Sequence, residues 1–212
     1  MRVLVCTKAG MQWGLNVYKE LQEDTKHNFK LVTVPDALQD EVQKFDPELI
    51  VFLHWSWLIP SDVLKYRCIS THTAPLPRYR GGSPIQNQIL AGETESAVTL
   101  FYTSEALDAG EIILQETISL EGDLKDIFER VEKASIKMVK GFLGGKTDSR
   151  PQEGTPTYCE RRTPEQGRID PSKSAAYNYN LVRALNMPPY PPAFIECDDG
   201  KRLYVLKATL EE

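Results

Sequence analysis

The segment that begins at His72 combines a residue type that does acid–base chemistry with residue types that hold a loop rigid. Pro75, Pro77 and a Gly-Gly pair follow the histidine, together with Arg78 and Arg80. Proline fixes the backbone and glycine permits a close approach, so such a loop can hold a side chain in one position. Because an imidazole titrates near neutral pH, His72 is a candidate general base or proton shuttle.

A carboxylate, Asp108, stands 36 positions after His72 within the sequence Leu-Asp-Ala-Gly. It follows an apolar segment that is predicted to be a strand, and the fold can therefore return it to the histidine. A carboxylate beside an imidazole orients the ring and stabilises its positive charge. The alternative interpretation is a proline-stiffened surface turn with a hydrogen-bonded histidine, and residue chemistry alone leaves both open.

The remaining histidines and the cysteines do not build a second site in the sequence. His27 lies in a polar turn and is predicted to be solvated, whereas His54 ends a buried strand and is predicted to pack in the core or to support another residue. No glycine-rich nucleotide motif and no nucleophile elbow is present. We expect no metal and no disulfide framework, because the cysteines form no closely spaced pair; they are Cys6, Cys68, Cys159 and Cys197.

Composition and charge limit the classes of protein that this chain can represent. With 212 residues and 41% hydrophobic residues it is predicted to be a globular protein of one domain with a small appendage. Apolar runs are too short for a membrane span and no secretory pattern opens the chain, which predicts a cytoplasmic protein with no membrane partner. The net charge of −5, and 8 Lys/Arg against 9 Asp/Glu in the last 62 residues, argue against a nucleic-acid partner.

Strand and helix signals alternate along the first half of the chain. This alternation predicts a doubly wound, mostly parallel α/β sheet, in which ligands bind beyond the carboxyl ends of the strands, where His72 falls. The predicted strands are Arg2–Thr7, Phe29–Val34, Glu48–Leu53, Arg67–Thr71, Ala97–Tyr102 and Ile112–Ser119. The predicted helices are Leu15–Glu23, Ala37–Phe45, Ser83–Leu90 with Ser83 as the N-cap, and a long helix from Leu124 to Phe142.

After Gly144 the composition of the sequence changes, and glycine, proline and charged residues are frequent up to Ser172. This composition indicates a linker or a long ordered excursion. Beyond it we predict the helix Ser174–Leu185 and a hairpin of Phe194–Cys197 with Leu203–Leu206. The chain is therefore predicted to divide into a main domain, residues 1–145, and a linker with a small C-terminal α+β subdomain, residues 146–212.

Two long segments, HTAPLPRYRGGSPIQNQILAG and SAVTLFYTSEALDAGEII, together resemble the formyltransferase family. Members of that family transfer a formyl group from 10-formyltetrahydrofolate to an amine, and the resemblance implies their Rossmann-like fold over residues 1–145. The tail, RTPEQGRIDPSKSAAYNYNLVRALNMPPYPPAF, is similar to the C-terminal piece of the nucleotide-sugar N-formyltransferases. Within that branch, the formyltransferase of the pseudaminic-acid pathway shares the Trp-Ser-Trp, Gly-Gly-Ser-Pro and Gln-Asn combinations.

The resemblance implies a role for each matching residue. His72 would be the general base and Asp108 its support, while the family's oxyanion-stabilising asparagine falls at Ser70. The implied folate-binding residues are Leu76, Pro77, Tyr79, Arg80, Tyr102 and Leu107. The implied acceptor-binding residues are Lys8, Gly82, Ser83, Gln86, Asn87, Arg183 and Tyr190, with Arg183 and Lys8 against a pyrophosphate.

The resemblance implies 10-formyltetrahydrofolate as co-substrate and a nucleotide-linked amino sugar as acceptor, such as a UDP-linked 4-amino-4,6-dideoxy-N-acetyl sugar. Two alternatives stay open. The first is that the acceptor is glycinamide ribonucleotide, although the extra subdomain after Gly144 argues against it. The second is that Ser70 marks a catalytically silent protein that binds folate or a nucleotide sugar. A homodimer is an open possibility for the oligomeric state.

Overall fold

Helices and strands alternate along the first half of the chain, as the sequence predicts, in a computed structural model that describes residues 1–211. The strands are β1 (Arg2–Thr7), β2 (Asn28–Val32), β3 (Leu49–Leu53), β4 (Cys68–His72), β5 (Arg80–Gly81), β6 (Glu95–Tyr102), β7 (Ile112–Ser119), β8 (Tyr158–Cys159), β9 (Ala193–Glu196) and β10 (Arg202–Val205). The helices are α1 (Gln12–Gln22), α2 (Leu38–Phe45), α3 (Pro84–Leu90), α4 (Leu124–Leu143) and α5 (Ala175–Arg183).

The central sheet has six strands in the order β2-β1-β3-β4-β6-β7. Strands β2, β1, β3 and β4 are parallel, whereas β6 pairs antiparallel with β4 and β7 pairs antiparallel with β6. The mostly parallel α/β sheet is confirmed. Strands β6 and β7 form an antiparallel pair because the connection between them is too short to hold the crossover that parallel strands need.

Both faces of the sheet are covered, which is why the first strands are apolar without alternation. Val3 and Val5 point into a core shared with α1, α3 and α4, while Leu4 and Cys6 point into a second core that contains residues of α2. The sheet is therefore doubly wound, as predicted. In doubly wound sheets ligands bind at the carboxyl ends of the parallel strands.

Helix α1 begins at Gln12, earlier than the predicted start at Leu15. The first turn carries no side-chain cap and no acidic residue, so the sequence lacks the usual start signals. What fixes it is packing: Trp13 is buried, and a Cβ added to Gly14 would lie 2.1 Å from Thr7 Oγ1. The close approach of Gly14 to β1 therefore positions the helix.

The segment after α4 is an ordered excursion rather than a free linker. It returns along the main domain, and β8 pairs in parallel with β5, Arg80 opposite Tyr158 and Gly81 opposite Cys159. We call residues 157–162 the strap. Beyond it, α5 and the antiparallel hairpin β9–β10 form the small C-terminal part, as predicted. The domain boundary after residue 145 stays a prediction.

Residues 1–211 contain neither a candidate membrane-spanning helix nor a candidate metal cluster. No helix there has both the length and the apolar character needed to cross a bilayer. No group of three or more His, Cys, Asp or Glu side chains in that range is arranged to hold a metal ion.

Candidate active site

His72 ends β4 at the carboxyl edge of the parallel strands, with a side chain that is only 9% exposed. Its Nε2 atom lies 2.7 Å from the carbonyl oxygen of Tyr79. Since a carbonyl oxygen only accepts, Nε2 carries a proton in this arrangement. In the neutral ring Nδ1 is then the atom free to accept a proton, which is what a general base requires.

Asp108 reaches His72 from the loop between β6 and β7. Its Oδ2 lies 3.6 Å from Nδ1 of His72 and accepts the backbone N–H of Gly81 at 2.8 Å. At 3.6 Å the carboxylate and the ring interact electrostatically without a direct hydrogen bond, so the carboxylate stabilises an imidazolium formed at Nδ1. The structure brings together the two side chains that the sequence singled out.

Gln152, which precedes the strap, joins the two loops of the site through all four bonds of its amide. Its Nε2 donates to the carbonyl oxygens of Asp108 and Gly110, both at 2.8 Å. Its Oε1 accepts from Nε and Nη2 of Arg80 at 3.2 and 2.7 Å. Gln152 therefore holds the Asp108 loop against the Arg80 loop. No signal in the sequence identified it, since it lies in the glycine- and proline-rich excursion.

Gln152→Glu is expected to lower kcat by roughly tenfold, because a carboxylate keeps the bonds to Arg80 but loses both donors to the Asp108 loop. The measurement is steady-state turnover with KM determined for each substrate, and KM should change less than kcat. Gln43→Glu, an exposed residue of α2, is the matched control. An unchanged kcat in Gln152→Glu would show that the Asp108 loop needs no such support.

The strap lies directly against the loop that follows His72. A Cβ added to Gly82 would lie 2.6 Å from Cα of Arg161, so only glycine admits the strap at this distance. Asn87 Nδ2 donates to the carbonyl oxygens of Gly82, Ser83 and Glu160 at 3.1, 3.0 and 3.2 Å. Gly82 and Asn87, both predicted to contact the acceptor, thus hold the strap in place.

Ser83 is the N-cap residue of α3, as predicted. Its backbone is left-handed, with φ 49° and ψ 44°, and no side-chain capping bond forms. The hydroxyl instead accepts the backbone N–H of Arg162 at 3.1 Å. Pro84, the first helical residue, has no N–H to be satisfied, which reduces the need for a cap. Ser83 therefore serves the strap.

Ser70, which the resemblance places where the family has an asparagine, lies two residues before His72, so both side chains leave β4 on the same face. Its hydroxyl is 2.8 Å from Oγ1 of Thr103, and either hydroxyl can donate. Ser70 is 8% exposed. If Thr103 donates to Ser70, the Ser70 proton remains available to a developing oxyanion.

Ser70→Ala is expected to lower kcat by about 10² with little change in either KM, because an oxyanion donor acts only in the transition state. The measurement is again steady-state turnover. Ser104→Ala removes an exposed hydroxyl nearby and should leave turnover unchanged. Unchanged turnover in Ser70→Ala would reduce the role of Ser70 to its bond with Thr103.

The apolar residues predicted to bind folate differ in exposure. Leu76 is 4% exposed and packs with Phe101 and Ile112, so its side chain stabilises the loop. Pro77 follows it and is partly exposed. Leu107 is 58% exposed and directly precedes Asp108, which places an apolar surface beside the Asp108 carboxylate. Of these residues, Leu107 offers the largest apolar contact to a flat ring system.

The polar residues predicted to bind folate already make bonds within the protein. The Tyr79 hydroxyl donates to Glu93 at 2.9 Å, and the Tyr102 hydroxyl donates to the carbonyl oxygen of Thr147 at 3.1 Å. Arg80 is bonded to Gln152, as described above. A cleft of about 400 Å³ opens beside this loop and the strap. Its lining includes Arg78, Tyr79, Asn87, Tyr158 and Arg162.

Two residues predicted to contact the nucleotide lie in packed surroundings. The Arg183 guanidinium donates to Asn180 Oδ1 at 2.8 Å and to the carbonyl oxygens of Leu120 and Gly122 at 2.6 and 3.1 Å. It therefore joins α5 to the loop before α4. Tyr190 stacks parallel to Phe128 with ring centroids 6.1 Å apart. The contacts of both residues with a nucleotide stay predictions.

Lys8 and His54 emerge side by side, because each directly follows a paired residue at the ends of β1 and β3, Thr7 opposite Leu53. Burial, then the positive charges of Lys8, Arg161 and His72, lowers the pKa of His54 to about 4. Burial and then Arg161 also lower the pKa of Lys8. The sequence predicted that His54 packs in the core or supports another residue, and it gave no indication of Arg161. Only the position of His54 at a strand's carboxyl end pointed to the site.

Comparison with known proteins shows the family to which this chain belongs. Residues 15–140 match the formyl transferase family, and residues 161–212 match the formyl transferase C-terminal domain. The chain belongs to the formyl transferase family. The matched N-terminal region contains His72 and Asp108, and the matched C-terminal region begins at Arg161 in the strap.

Similar proteins of this family carry different descriptions. The methionyl-tRNA formyltransferase of Halalkalibacterium halodurans is 32% identical over 187 residues, which cover 81% of this chain and 58% of that protein. The chain thus spans less than two-thirds of that relative. A solved methionyl-tRNA formyltransferase from Clostridium thermocellum is 31% identical, with a TM-score of 0.92 over 100% of this chain and 94% of that one. A sugar N-formyltransferase from Shewanella sp. shares the fold, with a TM-score of 0.74, 19% identity and coverage of 100% and 99%.

Proposed function

We propose that this protein transfers a formyl group from 10-formyltetrahydrofolate to the amine of a nucleotide-linked amino sugar. The observation that carries formyl transfer is the buried His72, whose Nε2 lies against the Tyr79 carbonyl and whose Nδ1 faces Asp108. This pair can accept a proton from an amine and stabilise the resulting charge. Membership of the formyl transferase family gives the chemistry that such a pair would serve.

The residues of this chain supply proton handling and positioning, and the folate supplies the formyl group. Nδ1 of His72 accepts the proton that the amine loses as its nitrogen bonds to the formyl carbon. Asp108 stabilises the imidazolium, and Ser70 donates a hydrogen bond to the formyl oxygen as negative charge develops there. The proton then passes to the folate nitrogen as its bond to the formyl carbon breaks. Leu107 offers the apolar contact that a flat ring needs beside these groups.

A sugar acceptor is supported by charge and by sequence resemblance. The C-terminal 62 residues carry 8 Lys/Arg against 9 Asp/Glu, which gives no net basic surface for a long polyanion. The Trp-Ser-Trp segment of residues 55–57 and the Gly-Gly-Ser-Pro segment of residues 81–84 resemble the nucleotide-sugar branch. We propose an acceptor of the pseudaminic-acid type, held by residues 146–212.

A second candidate is formyl transfer to methionyl-tRNA. The relatives that are 30–32% identical are described as methionyl-tRNA formyltransferases, and the solved relative with a TM-score of 0.92 carries the same description. The two candidates share the folate and the His72–Asp108 pair. They differ in the acceptor, which must therefore be tested directly.

The test is an acceptor screen that measures tetrahydrofolate release from 10-formyltetrahydrofolate. The arms are UDP- and dTDP-linked amino sugars, glycinamide ribonucleotide and charged methionyl-tRNA, each with the wild-type protein and with His72→Asn. We expect release with one nucleotide-linked amino sugar that depends on His72. Release with methionyl-tRNA alone would establish the second candidate. Release with no acceptor, at substrate levels that saturate binding, would contradict both.

A further inference from the structure

Gln88 lies on α3 and is only 1% exposed, and both ends of its amide are hydrogen-bonded. Its Nε2 donates to the carbonyl oxygens of Thr73 and Pro84, both at 3.0 Å. Its Oε1 accepts the hydroxyl of Ser96 on β6 at 2.6 Å. Thr73 directly follows His72 in the chain. A single buried amide therefore joins the residue after His72 to a helix and to a strand.

The orientation of the Gln88 amide is decided by its partners. The carbonyl oxygens of Thr73 and Pro84 only accept, so the NH2 group faces them, while the Ser96 hydroxyl donates to the amide oxygen. A flipped amide would place its oxygen against two other oxygens. Ser96, which is 5% exposed, therefore helps to keep the donor end of Gln88 on Thr73.

The backbone that Gln88 holds leaves the sheet at this point. His72 is the last residue of β4, where it is paired with Thr99 of β6. The next two residues, Thr73 and Ala74, are 8% and 0% exposed, and the Ala74 carbonyl oxygen accepts the Thr99 hydroxyl at 2.7 Å. Buried carbonyls need donors, and here side chains supply them. Gln88 and Thr99 thus fix the direction in which the chain leaves His72.

That direction matters because the same segment returns to the ring of His72. We call residues 73–79 the His72 loop. Its last residue, Tyr79, offers the carbonyl oxygen that lies 2.7 Å from Nε2 of His72. The hydrogen bond that one ring nitrogen makes decides which of the two carries the proton. Gln88 holds the first residue of the loop, and the path of the loop therefore affects the tautomer of His72.

We propose that Gln88 is a positioning residue for formyl transfer. It acts through the His72 loop: its amide, oriented by Ser96, keeps the Tyr79 carbonyl on Nε2 of His72, which leaves Nδ1 to accept the proton of the amine. For turnover the inference rests on the proposed function, whereas the tautomer of His72 can be measured in the free protein.

The first measurement is the tautomer of His72, read from long-range proton–nitrogen NMR spectra of protein with isotope-labelled histidine. The spectra are recorded at about pH 8.5, where an ordinary imidazole is neutral, and below the melting temperature of every variant. The chain has three histidines, and the signals lost in His72→Asn identify that ring. We expect one tautomer in the wild type, with the proton on Nε2, and a mixture of both in Gln88→Met.

The second measurement is steady-state turnover with the acceptor that the screen identifies. Gln88→Met keeps the length of the side chain but removes both the donor to Thr73 and the acceptor for Ser96. We expect kcat to fall about tenfold with less change in KM, because displaced groups cost rate in the transition state. Ser96→Ala should change tautomer and kcat in the same direction by less, and Ser96→Thr, which keeps a hydroxyl, should retain both.

Val42→Ala is the control for a loss of stability alone. Val42 lies on α2, is 3% exposed and belongs to the second core. Deletion of buried methyl groups lowers stability through the cavity that is left. This variant should therefore melt at a lower temperature than the wild type but keep the wild-type tautomer of His72 and the wild-type kcat.

The outcomes separate this proposal from the proposed function. A wild-type tautomer in Gln88→Met would overturn the role of Gln88, as would a wild-type kcat. If Gln88→Met does not fold, the same measurements on Ser96→Ala and Ser96→Thr decide, and equal results from these two would overturn it. If Gln88→Met changes the tautomer but the wild type formylates no acceptor, Gln88 still positions His72 and the proposed function fails.

Discussion

His72→Asn and Asp108→Asn are each expected to lower kcat by about 10²–10⁴, the range that general acid–base groups typically contribute. Asparagine at 72 offers no base in place of Nδ1, and its shorter side chain also loses the bond that Nε2 makes to the Tyr79 carbonyl. Asparagine at 108 is nearly isosteric with aspartate but removes the charge that lies 3.6 Å from Nδ1. The measurement is turnover with the acceptor that the screen identifies, together with the melting temperature of each variant.

The controls for these variants come from the same chain. His27→Asn and Asp148→Asn change the same residue types outside the site, and both should keep wild-type turnover. The melting temperatures of the site variants should remain close to that of the wild type, because these substitutions are expected to lower kcat without lowering the stability of the fold. Turnover within tenfold of wild type in both His72→Asn and Asp108→Asn would contradict the assignment of the pair.

The pair itself could be predicted because its signals are local. Histidine at the end of a strand, a proline- and glycine-rich loop, and an aspartate after the next strand are features that the printed sequence shows directly. The alternation of apolar strands and amphipathic helices likewise predicted the parallel part of the sheet, since it depends on near-neighbour periodicity.

The supporting residues could not be predicted because their partners are distant in sequence. Gln152 contacts Asp108 and Gly110 only after the excursion has folded back along the main domain. Arg161 comes near enough to His54 to help lower its pKa for the same reason. Periodicity and turn chemistry carry no information about contacts between irregular segments, so neither residue stood out.

Arg183 has partners within the protein that the sequence did not indicate. Its position in a helix beside a proline-rich turn, together with the resemblance, suggested a phosphate contact. The structure uses the guanidinium to satisfy backbone carbonyls at the end of β7, which lie 61 and 63 residues away in sequence. A buried carbonyl oxygen and a bound ligand both need a hydrogen-bond donor. The sequence alone does not show to which of the two an arginine will donate.

Gly110→Ala is expected to lower both stability and activity, because it disturbs the loop that carries Asp108. A Cβ at position 110 would lie 1.6 Å from the carbonyl oxygen of Tyr102, a distance that no side-chain movement can relieve. The loop must shift, and with it the carboxylate and the Gly110 carbonyl that Gln152 binds. Overpacking of this kind typically costs about 1–3 kcal/mol, and a misplacement of about 1 Å can cost about 10² in rate.

Gly141→Ala tests whether the loss at Gly110 comes from the site loop rather than from the loss of a glycine. Gly141 lies within α4, and a Cβ there would meet its nearest atom, in the side chain of Lys146, at 3.5 Å. Alanine is the better helix former by about 0.5–1 kcal/mol, so this variant should be at least as stable as wild type and fully active. The measurements are the melting temperature and kcat of both variants. A Gly110→Ala enzyme that keeps wild-type kcat would show that the reaction tolerates a shift of the loop that carries Asp108. The inference that Asp108 and His72 must keep a fixed geometry would then be wrong.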